Sequence, residues 1–102
     1  MRAPAQPREP AQISAPRAQA LAAIATDLAQ AGHIDDALRA ASPLDSVPAE
    51  TVADSRDYAL AAIAAAQAKA GRTSDARATL QRIYQPAVRA EAMRTLAPAR
   101  AS

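Results

Sequence analysis

The sequence predicts an all-α protein built from a repeated pair of helices, and three observations carry that prediction. About a third of the 102 residues are alanine, the residue that loses no side-chain entropy on entering a helix. Apolar residues recur at helical spacing, as in Leu21, Ile24, Ala25 and Leu28, which puts one face of a helix on a core. The run Ala20-Leu21-Ala22-Ala23-Ile24-Ala25 then returns 39 residues later as Ala59-Leu60-Ala61-Ala62-Ile63-Ala64.

The elements follow in order. Residues 1–13 hold Pro4, Pro7 and Pro10; proline lacks an amide donor and fixes φ, so a disordered tail is expected. Ser14 and Pro16 suit a helix start, and Gly32 suits a left-handed cap after Ala31. A shorter helix spans His33 to Ala41, with Ile34, Ala37, Leu38 and Ala41 inward and Asp35 and Asp36 in its first turn, where carboxylates offset the helix dipole. Ser42-Pro43 ends it, and Leu44 to Val47 read as a connection. Pro48 opens a helix reaching Ala70, kinked or interrupted near Asp54-Ser55, with Leu60, Ile63, Ala64 and Gln67 on its core face. After Gly71 a helix starts at Arg72 or Thr73 and turns Ala76, Leu80 and Ile83 inward. Gln85-Pro86 breaks the chain, and a last helix from Pro86 to about Leu96 carries Met93, Leu96 and Ala97. The expected organisation is a tail at 1–13, a helical domain at 14–97 and a frayed C-terminus at 98–102.

The repetition extends beyond the first match. Ala31-Gly32 and Ala70-Gly71, Asp36 and Asp75, and Ala37 and Ala76 share the 39-residue spacing, and a third start at Ala92-Met93 lies 33 residues beyond the second. A helix, a glycine turn and a second helix at such a period describe a helical-hairpin repeat. Over residues 17–97 the chain resembles the tetratricopeptide family in an alanine-rich form. Leu60, Ile63-Ala64 and Gln67, and likewise Leu21, Ile24-Ala25 and Leu28, stand where the family's first helix has its large and small residues. Ala76 and Leu80 match the second helix, Ala37 and Ala41 match it in part, and Pro48 and Pro86 stand slightly early for the family's proline. The family's aromatics are missing.

The resemblance implies a right-handed stack of antiparallel helix hairpins, an α-solenoid of about two and a half repeats. The long spacing implies an insertion within Ser42 to Thr51. So short a stack needs its ends covered, either by the last helix acting as a cap or by dimerisation. The first helix of each pair would line a concave groove, set out by Gln19, Ala22, Thr26 and Gln30, then Tyr58, Ala61, Ala65 and Lys69, then Glu91 and Arg94. The implied function is a non-enzymatic interaction module or scaffold binding a protein, peptide or helix.

Composition limits the other readings. There is no Cys, Trp or Phe, and aromatics are 2% of the chain, so disulfides and thiol chemistry are excluded and the core is thin. Twelve basic residues face ten acidic ones, interleaved rather than in runs, so neither nucleic acid nor a membrane is an expected partner. No apolar segment of signal-peptide or spanning length is seen, which leaves the cytoplasm as the default compartment. His33 with Asp35 and Asp36 has no counterpart in Arg72, Ser74 and Asp75; it reads as a turn histidine beside dipole-complementing acids. No catalytic group, cofactor site or metal site is expected. The alternatives are a small helix-turn-helix DNA-binding regulator using Arg77 and Arg82 in the helix after Gly71, and a structural, self-associating bundle. Against the first, Arg72 occupies a position that is usually apolar in that motif, and Leu38 stands where Arg77 would recur.

Overall fold

A computed structural model of the chain describes residues 15–47 and 49–96, the side chains of 49–53 left aside. The tail at 1–13, the Ser14 cap, Pro48 as a helix opener, Ala97 and the C-terminus at 98–102 lie outside the described residues. Within them the fold is all-α, without strands: α1 (Ala15–Gln30), α2 (Ile34–Ala41), a 3-10 turn (Ser42–Ser46), α3 (Ala49–Lys69), α4 (Thr73–Gln81) and α5 (Pro86–Leu96). α1 packs on α2 and α3, and α3 packs on α4 and α5.

The two glycine turns have the same geometry. Gly32 has φ +90° and Gly71 has φ +83°. The amide of Gly32 donates to the carbonyl of Ala29 and that of His33 to Leu28; Gly71 donates to Ala68 and Arg72 to Gln67. These paired bonds form a Schellman cap, which satisfies carbonyls left over at a helix end and needs a left-handed residue at one position. A β-carbon on either glycine would meet nothing within 4 Å, so only the backbone opposes a side chain there. Gly32→Ala and Gly71→Ala are each expected to lower stability by about 1 kcal/mol, with near-additive effects in the double variant, measured by urea denaturation.

The core forms two clusters that share α3. Ala59 and Ile63 of α3 join Ala18, Ala22, Ala25 and Ala29 of α1, Ala37 and Ala41 of α2, Leu44 and Val47. Leu60 and Ala64 join Ala76, Leu80 and Ile83, with Val88, Ala92 and Leu96 of α5 packed alongside. The bed of alanines on α1 leaves room for Ile63 to be fully buried, since small side chains let neighbouring helices approach closely. A buried polar brace, the Thr79 hydroxyl donating to Gln67 Oε1 at 2.7 Å, takes the place held by Ala40 and Leu28 in the first hairpin.

Four sequence expectations need correction. Ile24 is 50% exposed and Met93 is 44% exposed; neither is core. Ile24 corresponds to Ile63, but no helix packs on that side of α1 among the described residues. Met93 corresponds to Leu60, which α4 covers, and no described helix follows α5. The 42–47 connection is not a bare loop. It winds into a 3-10 turn and buries Leu44 and Val47. Ser42-Pro43 does end α2, at Ala41, and opens this turn, with Pro43 where a missing amide costs nothing. Finally, α3 runs through Asp54-Ser55 without a break over 21 residues. Asp54 is exposed and accepts a bond from Gln85 Nε2 at 3.0 Å, so its side chain does not compete with the helix backbone.

Two polar nodes tie the second hairpin and α5 to α3. Asp57 is fully buried. Its Oδ1 accepts the amide of Tyr84 at 2.9 Å, and its Oδ2 accepts the amide and side-chain amide of Gln85 at 3.0 and 3.1 Å. The carboxylate thus fastens the chain just ahead of α5 and places negative charge by that helix's N-terminus. The other node is Asp45, whose Oδ1 accepts from Arg56 at 3.0 Å and Arg82 at 2.8 Å, while Arg56 also donates to the Arg82 carbonyl at 3.0 Å. Partial burial pushes the Asp45 carboxyl up, but the bonds from Arg56 and Arg82, with their charges, outweigh it and hold the group below its ordinary value. Its stabilisation is complete above the ordinary aspartate range and fades as pH falls through the lowered value. Asp45→Asn is expected to lose less melting temperature than the native chain between neutrality and about pH 3, followed by circular dichroism.

Candidate functional site

The groove nominated in the sequence depends on which way the side chains of α1, α3 and α5 turn. In α3, Ala59, Leu60, Ile63, Ala64 and Gln67 are spent on the core, so Tyr58, Ala61, Ala65 and Lys69 are left to line the other side, about half a turn round the helix. Two adjoining hollows open there. One, of about 320 Å³, lies between α3 and α5 and is lined by Tyr58, Ala61, Ala65, Ala87, Val88, Glu91, Ala92, Thr95 and Leu96. The other, of about 570 Å³, lies between the ends of α1 and α3 and includes Gln30, Gly32, Ile34, Ala65, Ala66 and Lys69. Ala65 is exposed and belongs to both.

The nominated residues divide accordingly. Tyr58, 67% exposed, stands in the first hollow with Glu91. Gln30 and Lys69 meet in the second. Thr26 is half-buried and its hydroxyl donates to the Ala22 carbonyl of its own helix at 2.8 Å; Gln19 is exposed. Neither lines either of these two hollows. Ala22 is buried against α3, because α1 turns its small residues toward that helix. Arg94 is exposed and pairs with Glu91 at 2.6 Å from outside the hollow. The sequence reading missed Val88, Thr95 and the apolar side of α5. The spacing of Val88, Ala92 and Leu96, one residue every four, was the available signal.

The polar groups considered for chemistry stay apart or are engaged. His33 is exposed in its turn, and Asp36 pairs with Arg39 beside it. Among the described residues no cluster of three histidines, cysteines or acids is placed to hold a metal. Arg77 of α4 is exposed, while Arg82 at the C-terminal cap of that helix is bound to Asp45 and Arg72 at its N-terminal cap pairs with Asp75 at 3.1 Å. No described helix is long and apolar enough to cross a membrane.

The chain matches no family model, no curated protein and no solved structure. The tetratricopeptide resemblance therefore stands on the residue pattern quoted above.

Proposed function

We propose that this protein is a non-enzymatic interaction module, a right-handed tetratricopeptide-like stack of helix hairpins that takes an amphipathic helix or peptide along the groove of α1, α3 and α5. The observation that carries this reading is the pair of hollows meeting at Ala65, with Tyr58 at one end and Lys69 at the other. A floor of alanines admits close approach of a ligand backbone, and the apolar wall from Val88, Ala92 and Leu96 suits an inserted aliphatic side chain. Tyr58 adds a large amphipathic contact at small entropic cost. Helix-turn-helix DNA binding is disfavoured, because Arg82, half of the basic pair that reading needs and the C-terminal cap of α4, is already bound to Asp45.

The test is titration of a set of labelled amphipathic peptides, with scrambled controls, by fluorescence anisotropy. Ala65→Arg fills both hollows and is expected to abolish binding; Tyr58→Ala and Lys69→Glu are expected to weaken it. Binding indifferent to Ala65→Arg, or absence of binding across the set, would overturn the groove reading. A salt-dependent shift of duplex DNA would favour the regulator instead.

A further inference from the structure

The face of α1 turned away from the core carries its own regular pattern. Arg17, Ala20, Ile24, Asp27 and Ala31 follow one another at alternating steps of three and four residues, and all five are exposed. That is the spacing of a helix seam meant for a second helix. Ile24 is half exposed, whereas Ile63, at the corresponding place in the second copy, is fully buried against a neighbouring helix. What the interior does with this position therefore shows how its exposed counterpart can be covered: by an alanine-rich helix.

We infer that α1 docks antiparallel on α1 of a second copy of the chain, about a twofold axis level with Ala22. Charge sets the occupant and the direction. In this register each residue meets the one equally far on the other side of Ala22, so Arg17 faces Asp27 of the second copy twice over, and Ile24 lies against Ala20. A parallel pairing would set Arg17 against Arg17 and Asp27 against Asp27, a repulsive arrangement. Antiparallel helices also oppose their dipoles favourably, and the small Ala20 makes room for Ile24 as the α1 alanines do for Ile63. Arg17 already has an interaction within its own chain; a guanidinium has five donors and can serve both. Two sixteen-residue helices are expected to bury less than the roughly 1,200 Å² of a standard interface, so the dimer is expected to form in the micromolar range and to weaken with salt.

The experiment is sedimentation equilibrium from about 10 μM to about 1 mM, with circular dichroism to verify helix content. The expected result is a monomer–dimer equilibrium whose dissociation constant rises roughly tenfold or more in Ile24→Lys. Arg17→Asp and Asp27→Arg are each expected to weaken it, and the double swap to restore it. As the chain has no cysteine, mixing Ala20→Cys with Ile24→Cys chains should give a disulfide-linked heterodimer. A monomer throughout, a dimer indifferent to Ile24→Lys, or a charge swap that fails to restore association would each overturn the proposal. The groove on the other face of the protein stands or falls by its own titration.

Discussion

Asp57→Ala is expected to destabilise the chain by about 3 kcal/mol, the effect of stranding two partly buried amides and losing three bonds to a buried carboxylate. The carboxylate is wholly shielded from water and its three donors come from residues 27 and 28 positions away. Without it, the backbone at Tyr84 and Gln85 has nothing to bind on α3, and α5 loses its anchor. The loss should appear in urea denaturation as a lower midpoint. It should also appear in hydrogen exchange as faster exchange across Pro86–Leu96 than across α1. Asp57→Asn keeps one acceptor oxygen and is expected to fall between the two. A substitution to alanine that leaves α5 as protected as before would show that the packing of Val88, Ala92 and Leu96 holds that helix unaided.

Ile63→Ala is expected to cost about 3 kcal/mol, the usual range for removing a buried branched side chain whose surroundings only partly collapse. Its partners are mainly alanines on α1, which are too short to fill the space. Ile24→Ala, made in an almost identical local sequence, is expected to cost less than about 0.5 kcal/mol. The pair is best compared by urea denaturation at low protein concentration, where association through α1 does not contribute. Equal losses at the two sites would mean that Ile24 is covered in the folded monomer.

That comparison also marks how far the sequence could be read. The helices, their order and both glycine caps were legible, because propensity, apolar spacing and the left-handed turn are local properties. Ile24 and Ile63 could not be told apart, since their neighbours in sequence are nearly the same and only the helix beside them differs. Asp57 left no sign for a similar reason: an aspartate within an alanine-rich helix looks solvated until the chain returns to it 27 residues later. Leu44 and Val47 sit among Ser, Pro and Asp, residues that signal a turn and hide the fact that the turn is tucked inward. Of the two hollows, the α3 lining at Tyr58, Ala61, Ala65 and Lys69 follows from the period of the helix. Ala22 and Arg94 depended on how α1 and α5 are rotated, which packing decides.

The division of α3 between two clusters has a thermodynamic consequence. One side of this helix holds Ala59 and Ile63 against the first hairpin, and the other holds Leu60 and Ala64 against the second. Neither hairpin retains a complete apolar interior if α3 melts, so the two should unfold in a single concerted transition. Among the described helices α5, which buries none of its residues fully, is the one free to peel away first. The protein would then behave less as a string of independent modules than as one unit with a detachable end.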